Sequence, residues 1–321
     1  MRSDNTLYVV VPCYKEEEVL PETSKRLKAK LTALIAQGKI SPRSRILFVN
    51  DGSKDRTWPI IEELHAKDRI FSGVNLSRNR GHQNALLAGL MTAVQYADMM
   101  VSMDADLQDD IDAMDKMIDA YHEGYDVVYG VRSSRKTDSF FKRFTAESFY
   151  KLMKAMGVDI VFNHADYRLM SRRAVEGLAD FKEVNLFLRG IVPQIGYSWT
   201  TVEYERAKRF AGESKYPLKK MLSFAFDGIT SFSVKPLRLI LTLGAVIFAL
   251  SLVMLLWTLV RWIAGATVSG WASLMCSIWM IGGIQLLALG VIGEYMGKVY
   301  SETKARPRFI IERVLNDRDN D

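Results

Sequence analysis

Leu239 to Val260 is a run of 22 residues without a charge, and beyond Arg261 the stretch from Trp262 to Gly293 is again uncharged. A helix rises about 1.5 Å per residue and needs about 20 apolar residues to cross a bilayer core of about 30 Å. The two runs, joined by a short turn near residues 265–270, predict a transmembrane hairpin with spans at about 239–260 and 271–293. The flanks agree on its orientation. Between Arg206 and Arg238 lie eight Lys/Arg against two acidic residues, and Lys298, Lys304, Arg306 and Arg308 follow the second run. Only Arg261 stands near the connecting turn, so both ends of the hairpin are expected on the cytosolic side. Met1 to Thr6 is polar, and Leu7–Pro12 is too short for the apolar core of a secretion signal. These features predict a multi-pass protein of the inner (cytoplasmic) membrane with its N-terminal domain in the cytosol.

The net charge is 43 − 37 = +6, and much of the excess sits beside the predicted membrane segments. Anionic lipid and a phosphorylated substrate fit that placement; nucleic acid does not. Leu218, Met221, Leu222, Ala225 and Ile229 recur at helical spacing with Lys219 and Lys220 between them. That pattern predicts an amphipathic segment over 216–238 lying in the membrane interface. Cys13 and Cys276 have no metal-type spacing, so free thiols in a reduced compartment are expected. His65, His82, His122 and His164 form no ligand pattern.

The first 130 residues alternate short apolar runs with amphipathic stretches. Strands are expected at Leu7–Val11, Arg45–Val49, Ser72–Leu76, Met99–Met103 and Asp126–Tyr129. Helices are expected at Glu17–Ala36, Thr57–Lys67, Gln83–Tyr96 and Ile111–Glu123. This alternation predicts an α/β domain with a mostly parallel sheet covered on both faces, binding ligands beyond the carboxyl ends of its strands. Polar and glycine-bearing residues recur just there: Pro12-Cys-Tyr14-Lys-Glu16, Asn50-Asp51-Gly52-Ser53-Lys-Asp55, Asn79-Arg-Gly81-His-Gln, Asp104-Ala-Asp106-Leu-Gln108 and Gly130-Val-Arg132. Five such ends in one register point to an active site.

Asp104, Asp106 and Gln108 supply two carboxylates and an amide oxygen at alternating positions. On extended backbone all three would face one way. Hard oxygen ligands suit Mg2+ or Mn2+, which completes its shell with substrate phosphates. No G-x-G-x-x-G follows the first strand and there is no P-loop; Gly293-Glu-Tyr-Met-Gly297-Lys298 is a residue short of one. A bound diphosphate would then need a metal and basic side chains. Arg206 to Tyr216, with Arg209, Gly212 and Lys215, is a basic loop suited to phosphate oxygens. Asn163-His-Ala-Asp166-Tyr-Arg168 sets a carboxylate and a guanidinium two residues apart.

Val10 to Glu17, Val49 to Asp55, Ser77 to Gly81, Asp104 to Gln108, Asp166 to Met170 and Ala211 to Lys215 together resemble the family 2 glycosyltransferases of GT-A (Rossmann-like) fold. Within them the chain is similar to polyprenyl-phosphate glycosyltransferases, which include dolichyl-phosphate mannose synthases and bacterial undecaprenyl-phosphate (bactoprenol) glucosyltransferases. The tail from Gly293 to Lys298, followed by Arg306-Pro307, looks like the two-span bacterial subgroup. The resemblance covers essentially the whole chain. It implies a GT-A domain over 1–215, an interfacial segment over 216–238, the hairpin over 239–293 and a cytosolic tail over 294–321.

The resemblance further implies that Pro12, Tyr14, Glu16 and Asp51 hold the nucleoside, that Asp104 with Ala105 meets the ribose side, and that Asp106 and Gln108 bind the metal. Arg132, Arg209 and Lys215 would hold the donor diphosphate or the acceptor phosphate, with Arg143 a further candidate. Asp166 matches the acidic residue near the acceptor, as a base or as an orienting group. Lys15 departs from the pattern, where the family usually has Asn; so does Asn50, where many members have Asp. The implied reaction is inverting transfer of a hexose, glucose or N-acetylglucosamine, from a UDP-sugar to undecaprenyl phosphate for cell-envelope glycan modification. Self-association of the hairpin is expected as well. Two alternatives stay open: a processive polysaccharide synthase of the same fold, whose Gln-x-x-Arg-Trp motif is missing here, and a non-catalytic membrane-anchored nucleotide-sugar scaffold.

Overall fold

The computed structural model describes residues 4–133, 164–183, 186–205, 233–264 and 270–316. Arg143, Arg209, Lys215 and most of the expected interfacial segment lie outside them. The chain divides into two compact units. The first comprises Met1–Tyr150, Asp159–Pro217 and Arg306–Asp321; the second comprises Lys151–Val158 and Leu218–Ala305.

The first unit is built on an eight-stranded sheet. In chain order its elements are β1 (Leu7–Cys13), α1 (Leu20–Ala36), β2 (Arg45–Asn50), α2 (Thr57–Lys67), β3 (Phe71–Leu76), α3 (His82–Ala93), β4 (Met99–Ser102), α4 (Ala113–His122), β5 (Val127–Arg132), β6 (His164–Ser171), α5 (Arg172–Ala179), α6 (Leu188–Gln194), β7 (Trp199–Tyr204) and β8 (Ile311–Leu315). The strand order is β7-β5-β6-β4-β1-β2-β3-β8. Four of the seven pairings are parallel and three, around β6 and at β8, are antiparallel.

β1 is buried along its whole length, as a central parallel strand covered on both faces should be. Alternate residues serve the two faces. Leu7, Val9, Val11 and Cys13 join a core with Leu20, Leu27, Leu31 and Leu34 of α1, Ile61 of α2, and Met114, Met117 and Ile118 of α4. The α1 leucines recur at the spacing of one helical face. Val10, pointing the other way, meets α3: a Cβ on Gly89 would lie 2.4 Å from its Cγ1. Only glycine lets α3 sit that close to the sheet.

The second unit holds α7 (Lys235–Ile263) and α8 (Trp271–Thr303). α8 runs ten residues past the expected end of its span, and its Met280–Thr303 segment is long and apolar enough to cross a membrane. Leu241, Leu256, Leu286 and Leu287 stand exposed on these helices. The C-terminal end also differs from expectation. Residues 311–315, expected as part of a tail, form β8 and pair antiparallel with β3. Ile311, Val314 and Leu315 give that short segment enough β propensity to complete an otherwise open edge.

Candidate active site

β1 to β5 and β7 all run the same way, while β6 is antiparallel to both β4 and β5. Their carboxyl ends therefore share one edge of the sheet with the beginning of β6. Register sharpens this: Ser102 pairs with Arg168, so Asp166 lies level with Asp104 just beyond β4. Strands that are distant in sequence thus bring the two acidic motifs together.

Near the end of β1 stands Pro12, which is buried, and the loop after it carries Tyr14, which is 46% exposed. Lys15 takes φ +57°, and its ammonium lies 5.6 Å from the centroid of the Tyr14 ring. The Lys15 and Glu16 amides donate to the hydroxyls of Ser53 and Thr57 at 3.0 Å each, which ties this loop to the one after β2. There the buried Asp51 accepts the Arg80 amide at 2.7 Å and the Gly81 amide at 2.9 Å. Burial raises its pKa against those two bonds. Asp51 accordingly fastens the β3–α3 loop, so any nucleoside wall it forms is shared with that loop. Gly52 follows at φ +61°, and a Cβ there would stand 2.4 Å from the Arg78 carbonyl carbon. Both the left-handed turn and the close approach demand glycine.

The acid triplet does not continue its strand. β4 ends at Ser102, the chain turns at Ala105–Asp106, and Leu107 adopts φ +56°. One-sided alternation on extended backbone, as expected from the spacing, is replaced by a turn. The Asp106 carboxylate accepts the Gln108 amide at 3.2 Å, and the Thr23 hydroxyl donates to the Ala105 carbonyl at 2.8 Å. Side-chain bonding of this kind gives Asp a preference for turns over extended chain. Asp106 remains close enough for its charge to be felt at Asp104. The Asp104 pKa is raised, first by burial and then by the Asp166 and Asp106 carboxylates, with His82 opposing.

His82, which belongs to no ligand pattern in the sequence, is the first residue of α3. Its Nε2 lies 3.5 Å from Asp104 and 3.8 Å from Asp166. Asp166 in turn accepts from the Arg168 guanidinium at 3.1 Å and from two nitrogens of Arg189, on α6, at 3.1 and 3.0 Å. Burial works against its charge, yet Arg189 and then Arg168 hold its carboxyl far below the usual carboxylate range. Arg168 is 2% exposed. The Gln83 side chain accepts the Leu188 amide at 2.8 Å and so locks the starts of α3 and α6 together. Arg189 has no motif around it. His82 does stand in the Asn79-to-Gln83 run at the end of β3, and that position was its signal.

At the other flank, Arg132 ends β5 in register with Tyr204, the last residue of β7. The Tyr204 hydroxyl donates to buried Asp109 at 2.5 Å. Burial, together with the charge of Asp104, pushes the Asp109 pKa up to about 6. Neither Asp109 nor Tyr204 stood out in the sequence.

Among the described residues no group of three or more His, Cys, Asp or Glu side chains is gathered to hold a metal ion. The donors present are the Asp104 and Asp106 carboxylates and the Gln108 amide. That set fits an ion bound through one or two carboxylates and shared with substrate phosphates, as Mg2+ commonly is.

Residues 8–178 match the glycosyl transferase family 2 model, and residues 235–299 match the GtrB C-terminal hairpin. The uncharacterized glycosyltransferase YkoT of Bacillus subtilis (strain 168) is 52% identical over 97% of this chain and 92% of its own. The prophage bactoprenol glucosyl transferase homolog of Escherichia coli (strain K12) is 41% identical over 95% of this chain and 98% of its own. A crystal structure of glucosyl-3-phosphoglycerate synthase from Mycobacterium tuberculosis, in complex with Mn2+, UDP-glucose and phosphoglyceric acid, is similar over 70% of this chain and 78% of its own, at 17% identity and a TM-score of 0.45. With its apolar α8 and its hairpin, the protein is membrane-associated. It is a glycosyltransferase, and the chain belongs to glycosyl transferase family 2.

Proposed function

We propose that the protein transfers a hexose, glucose before N-acetylglucosamine, from a UDP-sugar to undecaprenyl phosphate, inverting the anomeric carbon. The acceptor and the preference for glucose rest on relatives named bactoprenol glucosyl transferase that align along nearly the whole chain. A cytosol-facing catalytic domain is supported by the Lys/Arg that flank the hairpin on both sides, against Arg261 alone near its turn.

In this reaction the bond from the anomeric carbon to the donor diphosphate breaks, and an acceptor phosphate oxygen forms the new bond from the opposite face. UDP departs with the electron pair. A divalent cation, Mg2+ or Mn2+, held by Asp106 and Gln108 with the diphosphate, would supply charge neutralisation to that leaving group when bound. Tyr14 and Glu16 flank the nucleoside. Arg132, Arg209 and Lys215 hold the donor diphosphate or the acceptor phosphate, and Arg143 is a further candidate for the acceptor phosphate.

The observation that carries the mechanism is the Asp166–Arg189–Arg168 group facing Asp104 through His82. A carboxylate held ionised by two guanidinium groups is a poor proton acceptor. The acceptor needs none: a phosphate monoester has its second pKa at about 6 and is largely dianionic at about pH 7. Asp166 therefore orients, and Arg189 presents positive charge toward the acceptor side.

Purified protein incubated with undecaprenyl phosphate and a panel of labelled UDP-sugars should carry label from UDP-glucose into the lipid phase. Excess chelator should stop the transfer and Mg2+ or Mn2+ should restore it. Label that stays in the aqueous phase with every donor refutes the acceptor assignment.

A further inference from the structure

We propose that Tyr204 is a positioning residue for cation binding. It clasps the acid loop through Asp109 and is braced by Tyr167, an inference that rests on the reading of Asp106 and Gln108 above. Asp109 follows Gln108 directly, is only 4% exposed and accepts the Tyr204 hydroxyl at 2.5 Å. The next residue is held as well: the hydroxyl of Tyr167, on β6, donates to the Asp110 carbonyl at 3.1 Å. The two tyrosines are buried and meet edge to face, with ring centroids 5.4 Å apart at 82°. Two strands thus fasten two successive residues of one loop.

The other end of that loop is fastened by Thr23 at the Ala105 carbonyl. Between the anchors lie Asp106, Leu107 and Gln108. Leu107 is left-handed at φ +56°, a conformation costing an L-residue on the order of 1 kcal/mol. A turn of that kind persists when its surroundings over-determine it. A lone buried carboxyl is expensive, and Asp109 keeps its place at the point where a hydroxyl can reach it. The clasp also ties the acid loop to β7, which leads from Tyr204 into the basic segment carrying Arg209 and Lys215. Mg2+ tolerates little distortion of its ligand geometry, so a loosened loop should lower cation affinity without touching a reacting atom.

The test titrates Mn2+ into full-length protein in detergent with saturating UDP, reading free Mn2+ by electron paramagnetic resonance. Tyr204→Phe should weaken Mn2+ binding about tenfold. In turnover its loss should appear in the Mn2+ and donor requirements, with kcat little changed once both saturate. Tyr129→Phe removes a similarly buried hydroxyl from β5, away from this loop, and should leave Mn2+ affinity at the wild-type value. Asp109→Asn keeps an acceptor oxygen for Tyr204, whereas Asp109→Ala does not; both lose the charge. The Asn variant should therefore bind Mn2+ more tightly than the Ala variant, a comparison that stands even if Tyr204→Phe fails to fold. Equal affinities for Tyr204→Phe and Tyr129→Phe, or for the two Asp109 variants, overturn the clasp. Wild-type protein that takes up no Mn2+ beside UDP overturns the metal reading itself.

Discussion

Asp166 accepts three guanidinium hydrogen bonds, one from Arg168 and two from Arg189, and its side chain is 17% exposed. Its folded pKa lies below the unfolded value, so its contribution to stability is present above about pH 4 and disappears as pH falls further. Asp166→Asn strands the buried Arg168 charge and should destabilise the protein at pH 7 by on the order of 3 kcal/mol. The gap from wild type should narrow in thermal melts below about pH 4; a gap independent of pH would mean the pairing is not what holds Arg168. Lys15 presents the opposite case, a residue at odds with its backbone. At φ +57° it occupies the region that Asn tolerates better than Lys, which gives a physical reason for the Asn usual at this position in the family. Lys15→Asn should raise stability by about 0.5 kcal/mol, read as a higher melting temperature. A lower one would show that the Lys15 ammonium over Tyr14 matters more than the turn.

At the level of elements, β8 does more than close an edge. Glu312 accepts from the Asn75 amide at 2.9 Å, and the Asn50 side chain donates to Asn75 at 2.7 Å, so three strands are laced beside the loop that holds Asp51. Arg313 adds an ion pair to Glu62 of α2 at 2.6 Å. Removing residues 306–321 should lower the melting temperature by about 5 °C or more and weaken UDP binding. Unchanged values for both would reduce β8 to a passive cover. The sequence made some of this legible and not the rest. β1 to β5 are apolar runs between amphipathic helices, and burial on both faces makes such strands easy to read. β6 hides because its interior carries Asp166 and Arg168, polar residues whose partners sit on α3 and α6. β7 is an edge strand with Trp199, Thr201 and Glu203 outward. β8 is short, half charged and separated from its partner by the entire hairpin. The acid motifs were readable from residue type alone. His82 was marked only by its place after β3 and Arg189 by nothing, because the starts of α3 and α6 reach Asp104 and Asp166 only in the folded chain.

On the scale of the whole molecule, the chemistry and the hairpin answer one another. The proposed reaction needs a soluble nucleotide sugar and a lipid-borne phosphate to meet where water ends, and the chain carries a family 2 domain followed by a GtrB C-terminal hairpin. The exposed leucines of α7 and α8 would be a liability on a freely soluble protein and are what a bilayer covers. The late arrival of β8 has a consequence for biogenesis. A ribosome finishes both helices before it makes residue 311, and until then the outer edge of β3 has no neighbour. Insertion into the bilayer should therefore come before completion of the sheet, and a nascent chain stalled short of its last residues would carry an open β edge, ready to pair with the wrong strand.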